Sequence, residues 1–336
     1  MTSRRLASSA LVSTAVVEKR GDLRRTVRSG LSFAIGHPHV TTLRTTTRRA
    51  FLQRGALVVA ALPAWRWRLF DWRVARALRI GVIGRAGERP GTSDRALGLR
   101  LGIDEASHSA ALFGGSVEAV PITLSSLRAA RVSAVIGGDE MRECALVARA
   151  AEEAGVVFMN VGCASDALRG EDCGPMMFHV APSEAMYRDA LRGQAESDVI
   201  AAAWDSSLER FGADTLNVRF RARFGRGMSA DAWLAWMAVK ILWEASLRVR
   251  SADARALVEY LTQYATQFDG HKGVPLSFRA WDHQLRQPLY VISAGQGRAQ
   301  KVIAEVPSSV SSEQSSRDAL DRLGTPAAQS TCKMPP

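Results

Sequence analysis

The chain has 336 residues, is 47% hydrophobic and carries a formal net charge of +11. Its positive charge is concentrated at one end, because residues 1–77 contain 15 lysines and arginines but only three acids. The remaining residues, 78–336, have a net charge of −1, which argues against a nucleic-acid partner for the body of the protein. The length suffices for one large domain or two modest domains with an ordinary hydrophobic core.

The basic N-terminal segment contains a pair of arginines before a short apolar run. Arg48 and Arg49 are followed by Phe51 and Leu52, and the apolar run extends over residues 55–63. This run is far shorter than the ~20 residues of a membrane-spanning helix, but it has the length of the hydrophobic region of an export signal. The segment resembles the twin-arginine export signal, which predicts a periplasmic protein. The alternative interpretation is an amphipathic surface helix.

Two positions with small residues fit the cleavage site of such a signal. One lies at residues 75–77 and the other at residues 62–64. If neither position is cut, the apolar run would stay as a membrane anchor. We therefore expect residues 1–77 to be an N-terminal extension with an export signal, and the folded body to begin at residue 78.

Strands and helices alternate through the first part of the body. Apolar strands are predicted at residues 78–84, 117–122, 132–138 and 156–160. Helices are predicted from about Ser93 and over residues 139–154, because apolar residues recur there at helical spacing. Short loops that contain glycine join these elements. The alternation predicts an α/β fold, in which helices flank a parallel, Rossmann-like sheet.

The loops after the strands are the expected binding sites, since ligands of such sheets lie at the carboxyl ends of the strands. They cover residues 85–94, 137–140 and 161–166. The first loop does not fit a dinucleotide, because Gly81, Gly84 and Gly87 do not have the G-x-G-x-x-G spacing. The sequence therefore predicts no cofactor.

Five segments, in the same order along the chain, resemble one protein family. They are RIGVIG (79–84), GLRLGIDEASHSAALFGGSVEAV (98–120), VSAVIGG (132–138), AEEAGVVFMNVGCASDALRGEDCGPMMFHVAPS (151–183) and FDGHKGVPLSFRAWDHQLRQPLYV (268–291). The series resembles the type I periplasmic solute-binding proteins. Within them it is similar to the leucine/isoleucine/valine-binding family of ABC importers, and to its branch linked to quinoprotein alcohol dehydrogenase systems. The resemblance implies a non-catalytic protein that binds a small amino acid, or a similar small organic molecule, and delivers it to an ABC permease in the inner membrane.

The resemblance also implies which loops hold the solute. In this family, hydroxyls and backbone groups at strand ends of the first lobe bind the charged end of the solute. The matching positions are Gly138, Asp139, Gly162, Cys163, Ala164 and Ser165. Backbone N–H groups and a serine hydroxyl suit a carboxylate, whereas Asp139 would repel one and suits an ammonium or an alcohol. Asp139 and Ser165 have a second interpretation, as caps of the helices that follow them.

Much of the second lobe of this family is missing between Ser183 and Trp204, since its strand–helix units would need about 100 residues. We expect a first α/β lobe, a remnant of the second lobe and an extended tail, over residues 78–190 with 204–265, 266–306 and 307–336 respectively. The loss leaves an exposed edge that would favour a homodimer. The alternative function is that of a degenerate structural or interaction protein that no longer binds solute.

The body contains four cysteines, which an exported protein can use for disulfides. Cys173 and Cys332 lie in loop-like segments and are the candidates for a disulfide, although spacing alone does not determine the connectivity. Cys144 lies in a helical pattern, which is typical of a small core residue. No pair has the C-x-x-C spacing of a zinc site.

The second half of the body is predicted to contain core residues rather than catalytic or metal-binding residues. A helix capped by Ser229 extends to about Leu247, and its tryptophans are expected in the core. The aspartates and histidines of the later segment suit turns, and no third ligand pair accompanies Asp269, His271, Asp282 and His283. Neither G-x-S-x-G nor H-E-x-x-H occurs, so no catalytic residue and no metal site are predicted.

Overall fold

The structure is a computed structural model, and it describes residues 77–84, 91–138, 141–195, 198–293, 301–308 and 313–334. The predicted export signal, with Arg48, Arg49, Phe51 and Leu52, lies outside these residues, as does Asp139. No helix in the described part of the chain has both the length and the apolar composition that crossing a bilayer requires.

Five parallel strands form the main sheet. They are β1 (Leu78–Val82), β2 (Val117–Pro121), β3 (Ala134–Gly137), β4 (Val157–Asn160) and β5 (Met177–His179). Their order across the sheet is β2-β1-β3-β4-β5, and every neighbouring pair is parallel. Strands β3 and β4 consist of buried residues only, which explains why they read as continuous apolar runs. The predicted α/β fold with a parallel sheet is confirmed.

Helices pack against both faces of this sheet. The helices of the described chain up to residue 262 are α1 (Asp94–Leu112), α2 (Leu127–Ala130), α3 (Met141–Ala154), α4 (Glu184–Leu191), α5 (Ala213–Phe224), α6 (Ala230–Val249) and α7 (Ala254–Thr262). Successive residues of β3 belong to separate core clusters, since Ile136 packs with α1 and α6 whereas Val135 packs with α3. The caps predicted at Ser93 and Ser229 are both formed, because each hydroxyl accepts a hydrogen bond from the first turn of its helix.

Helices α1 and α6 approach each other closely through two glycines. A Cβ atom on Gly98 would overlap the backbone of Ala232 in α6, and one on Gly102 would crowd the same helix. Glycine is needed at these positions because no side chain fits between the two backbones. The tryptophans of α6 lie in the core, as predicted, at positions Trp233, Trp236 and Trp243.

The strands after α7 belong to two different sheets. The first three form an antiparallel sheet of β7 (Phe268–Asp269), β8 (Pro275–Phe278) and β9 (Leu285–Arg286). This sheet adjoins β5 of the main sheet, because Gln284 forms a parallel bridge with His179. The last two strands, β10 (Leu289–Ser293) and β11 (Lys301–Val306), form a separate sheet with β6 (Val199–Ala202). The first half of residues 266–306 thus lies beside the main sheet, and the second half belongs to a separate sheet.

The separate sheet of β6, β10 and β11 is small and partly open to solvent. Its strand order is β11-β10-β6, and both pairs of neighbours are antiparallel. Ile200 and Ile303 are 46% and 39% exposed, respectively, although both are large apolar side chains. A sheet of this size cannot bury both faces, which fits a second lobe that is much shorter than the first.

The C-terminal tail is not extended throughout, contrary to the prediction. It contains helix α8 (Glu313–Asp321), which lies against β9. Arg286 donates a hydrogen bond of 2.6 Å from Nε to Asp321, and the Nε atom of buried Arg279 lies 3.4 Å from the same carboxylate. These ion pairs join the C-terminal end of the helix to β9 and to the loop after β8. The disulfide between Cys173 and Cys332, the pair singled out in the sequence, joins the tail to the loop before β5.

Two buried histidines lie where β5 meets β9. The ring of His283 stacks on Phe178 with a centroid distance of 4.3 Å, and its Nδ1 lies 3.1 Å from the carbonyl oxygen of Met177. Burial lowers the pKa of His283 to about 4. Burial, and then the nearby charge of Arg169, lower the pKa of His179 well below its usual value of 6.5. Both histidines are therefore harder to protonate in the folded protein than in the unfolded chain, where they take up a proton below about pH 6.5.

We therefore predict that the free energy of unfolding falls as the pH drops from about 6.5 toward 4. The loss from His283 alone should be about 2 kcal/mol between about pH 7 and pH 5. Urea unfolding at a series of pH values measures this slope. The matched variant is His283→Asn, because asparagine tolerates the left-handed backbone of this position (φ of 50°) and does not titrate. Equal slopes in the two proteins would contradict the prediction.

Candidate functional site

The loops after β1, β3 and β4 meet at the carboxyl edge of the main sheet. The strands are parallel neighbours, so Gly84, Gly138 and the β4 loop (residues 161–165) follow them on the same side. Hydrogen bonds link the strand ends directly, since Val161 donates its N–H to the carbonyl oxygen of Gly137 at 3.0 Å. This edge is where the sequence predicts the binding site.

Two of the predicted solute residues, Gly138 and Gly162, are in direct contact. A Cβ atom on Gly162 would overlap both the carbonyl oxygen of Gly138 and the guanidinium group of Arg95. Gly138 has a φ of 102°, a backbone conformation that favours glycine. Arg95 comes from the first turn of α1 and lies over the β4 loop. It therefore places a positive charge at the carboxyl edge of the sheet.

Asn160, at the end of β4, holds the β4 loop in shape. Its Oδ1 accepts hydrogen bonds from the N–H groups of Gly162 at 3.2 Å and Cys163 at 2.9 Å. Its Nδ2 donates to the carbonyl oxygen of Cys163 at 2.8 Å and lies 3.0 Å from Nδ1 of His179. Because both ends of this buried amide are already paired, Asn160 positions the loop for other groups.

Arg169 holds the same loop from the protein interior. Its side chain is buried, and its guanidinium donates to the carbonyl oxygens of Cys163 at 3.1 Å, Ser165 at 2.9 Å and Ala181 at 2.6 Å. Its Nε donates to Oε1 of Gln284 at 2.7 Å. Burial lowers the pKa of Arg169 to about 10, so the group keeps its charge at neutral pH. One side chain thus joins the β4 loop to the segment before α4 and to β9.

Cys163, Ala164 and Ser165 are the other predicted solute-binding residues that the structure describes. The side chain of Cys163 points into the core, where it contacts Cys144. Ala164 accepts a hydrogen bond at its carbonyl oxygen from the N–H of Glu184 at 2.8 Å. Ser165 is buried and precedes a short 3₁₀ turn, but its side chain makes no capping hydrogen bond. Its second interpretation as a side-chain cap is therefore wrong.

A cavity of about 430 Å³ lies beside this edge, between α1 and strands β1 and β2. Among its described lining residues, the cations are Arg95 and Arg100 and the acid is Asp104, which forms an ion pair with Arg223 at 3.1 Å. Most of the lining is aliphatic, with Val82, Ile83, Leu99, Ile103 and Ile122. Arg95 connects the cavity with the β4 loop, because it lines the first and contacts the second.

Sequence reasoning missed Arg95, Asn160 and Arg169. Asn160 carried a detectable signal, as a polar residue at the carboxyl end of a buried strand. Arg95 carried a weaker one, since it follows the Ser93 cap and so lies in the first turn of a helix at the ligand edge. Arg169 carried none, because its partner Gln284 is 115 residues away along the chain.

No protein-family model matches the chain, and no curated protein gives a significant match in sequence. Solved structures do match it. One is the leucine-, isoleucine-, valine-, threonine- and alanine-binding protein from Brucella ovis in its closed conformation, with a TM-score of 0.63 and 10% identity over 78% of this chain and 100% of that chain.

Two further matches are solute-binding proteins with bound ligands. The branched-chain amino acid transporter substrate-binding protein from Streptococcus pneumoniae, in complex with isoleucine, has a TM-score of 0.52 and 13% identity over 69% of this chain and 98% of that chain. A solute-binding protein of an ABC transporter from R. palustris, in complex with 4-hydroxybenzoate, has a TM-score of 0.54 and 11% identity over 68% of this chain and 96% of that chain. The five-stranded parallel sheet and these similarities show that the chain has the fold of ABC transporter substrate-binding proteins of the leucine/isoleucine/valine-binding type.

Proposed function

We propose that the protein is an exported, non-catalytic solute-binding component of an ABC importer, and that its solute is a small organic carboxylate bound at Arg95. The observation that carries this proposal is the position of Arg95, which contacts Gly162 at the carboxyl edge of the sheet and lines an apolar cavity. The fold supports the general role in solute binding, and the chemistry of the cavity supports the class of solute.

The guanidinium group of arginine matches a carboxylate, because its planar fork can donate two parallel hydrogen bonds. The aliphatic lining of the cavity suits the apolar body of a small acid, and its volume of about 430 Å³ lies in the range of small-molecule sites. A charged head at Arg95 and an apolar body against Leu99 and Ile122 would satisfy both parts of the site.

The ligands of the similar structures have the same two parts. Isoleucine and 4-hydroxybenzoate, which are bound to two of those proteins, share a carboxylate and an apolar body. They differ in the ammonium group, which needs an acceptor. Among the described residues that line the cavity, the acid is Asp104, which already pairs with Arg223. An alkyl or aryl monocarboxylate therefore suits this cavity better than an amino acid does.

The small size of the sheet of β6, β10 and β11 affects the expected affinity for the solute. Two-lobe binding proteins gain affinity when both lobes close over the solute and exclude water. We infer that the sheet of β6, β10 and β11, which has three strands, is the remnant of the second lobe. We therefore infer binding in the micromolar range or weaker, since part of the solute stays in contact with water.

Export and the membrane partner follow from the same proposal. The twin-arginine pattern at Arg48 and Arg49 supports export, and the Cys173–Cys332 disulfide suits an oxidising compartment. The partner would be an ABC permease in the inner membrane. The N-terminal residue of protein isolated from the periplasm tests the export signal and its cleavage, and a protein confined to the cytoplasm would contradict this part.

Calorimetric titration with benzoate, 4-hydroxybenzoate and isoleucine tests the solute class, with benzamide as the neutral control. We predict that Arg95→Met weakens carboxylate binding by at least about tenfold, because it removes a charge-assisted hydrogen bond worth roughly 1.5–3 kcal/mol. The matched control is Arg100→Met, since Arg100 lines the same cavity but is exposed to solvent. Its effect should be less than about threefold.

Two results would contradict the proposal. Equal losses in the two variants would show that Arg95 is not the carboxylate partner. If none of the acids binds to the unaltered protein, the solute-binding role fails, and the alternative of a degenerate interaction protein would be favoured instead.

A further inference from the structure

The cavity beside Arg95 is elongated along α1. Its lining residues on this helix run from Arg95 to Asp104 and recur at the spacing of one helix face. Nine residues of helix advance by about 14 Å along the axis. On the other side the lining runs along β2 from Ala119 to Ile122, which is about 10 Å of strand. The cavity is therefore a groove between α1 and β2.

The two ends of the α1–β2 groove differ in character. Arg95 lies at one end, where its guanidinium group contacts the β4 loop at the carboxyl edge of the sheet. At the other end α1 lies directly on β2, because Oγ of Ser107 donates a hydrogen bond of 3.1 Å to the carbonyl oxygen of Val117. The helix wall between the two ends carries the aliphatic side chains of Leu99 and Ile103. The groove thus has a charged end and a closed apolar end.

The floor of the groove is an apolar surface on an edge strand. Val117, Ala119 and Pro121 lie on the same face of β2, since side chains alternate along a strand. Val117 is buried in the core with α1, whereas Ala119 and Pro121 are exposed although they line the groove. An aliphatic chain laid over these two residues would be removed from water together with the surface beneath it. Its burial would be favourable in proportion to the apolar area covered.

We propose that the α1–β2 groove selects linear alkyl monocarboxylates of medium length, with the carboxylate at Arg95 and the alkyl chain extended along α1 toward Ala119. This inference rests on the proposed role of Arg95 as the carboxylate partner. A compact aryl acid such as benzoate covers only the part of the groove near Arg95, because its apolar body is much shorter than the groove. Ala119 is then a specificity-determining residue, since its small side chain leaves the closed end accessible to the end of the alkyl chain.

The test is calorimetric titration of the full chain with butanoate, hexanoate, octanoate, decanoate and benzoate, each below its micelle concentration. The affinity should rise about twofold to fourfold for each added methylene, as partial to full burial of a methylene predicts. Decanoate should bind with a stoichiometry of one and more tightly than benzoate. Equal affinities for the four alkyl acids would overturn this inference and leave the role of Arg95 intact. If none of the five acids binds, both proposals fail.

Ala119→Phe tests the closed end of the groove, because the new ring would occupy the space of the last methylenes. The ratio of the decanoate affinity to the butanoate affinity should fall by at least about tenfold. A ratio is the informative quantity, since a general loss of folded protein lowers both affinities alike.

Glu118→Phe is the matched control for this variant. Glu118 is also exposed on β2, but it lies on the opposite face, where it pairs with Arg79 at 3.1 Å. Its ratio should change by less than about twofold, since the exposed ion pair that it loses lies outside the groove. Ala119→Leu gives the same comparison if the phenylalanine variant fails to fold. An unchanged ratio in the Ala119 variants would overturn the inference.

Discussion

Replacing Arg169 with methionine is expected to lower the free energy of unfolding by about 2–6 kcal/mol. The change removes the donor to the carbonyl oxygen of Ser165 and the donor to the side-chain oxygen of Gln284, whereas the carbonyl oxygens of Cys163 and Ala181 keep hydrogen bonds from Asn160 and Gln284. Each buried acceptor that is left without a partner costs about 1–3 kcal/mol. A total of this size is a large part of the roughly 5–15 kcal/mol that stabilises a typical protein. Urea unfolding followed by tryptophan fluorescence measures the loss.

Arg188→Met is the matched control for this variant. Arg188 is also an arginine near the β4 loop, but its side chain is 66% exposed and forms a single ion pair with Asp166. Removing an exposed pair of this kind should change the stability by less than about 1 kcal/mol. Arg169→Lys should lie between the two, because lysine keeps the charge but has fewer donors. Similar stabilities for Arg169→Met and Arg188→Met would contradict the role given to Arg169.

Replacing Gly98 with alanine is expected to lower the free energy of unfolding by about 2–3 kcal/mol. The new Cβ atom would lie 2.6 Å from the carbonyl carbon of Ala232, so α1 must move away from α6. In an exposed helix the same change would stabilise by about 1 kcal/mol, because alanine is the better helix former. A loss of stability would therefore show that packing against α6 dominates at this position, and a gain would show that helix propensity dominates. Thermal and urea unfolding both measure it.

Gly84→Ala is the control, because a Cβ atom there meets no atom of the described residues within 4 Å. Its effect should be less than about 1 kcal/mol. A Gly98→Ala protein that is as stable as the unaltered one would show that α1 and α6 are further apart than the structure has them.

The contact between α1 and α6 also affects the proposed site. Arg95 lies in the first turn of α1, three residues before Gly98, and its guanidinium contacts Gly162. Any shift of α1 away from α6 moves Arg95 relative to the β4 loop. The carboxylate affinity of Gly98→Ala should therefore fall together with its stability, although residue 98 is not among the residues that line the cavity.

The sequence by itself determined the first half of the fold because its signals are local. Buried parallel strands such as β3 and β4 read as apolar runs, and the caps at Ser93 and Ser229 mark where helices begin. Glycines at strand ends marked the carboxyl edge, and two of them, Gly138 and Gly162, do meet there. The sequence also singled out the Cys173–Cys332 pair, which the structure joins.

Only the tertiary structure decided which side chains surround the candidate site. Arg169 and Gln284 are 115 residues apart in the chain, and Arg95 reaches Gly162 only when the start of α1 lies over the β4 loop. The tail helix likewise depends on Arg286, which is 35 residues before its partner Asp321. Short-range patterns carry backbone preferences, whereas a buried charge is stable only where distant segments supply its hydrogen-bond partners. The strands and helices were therefore readable in advance, and the arginines that hold the site together were not.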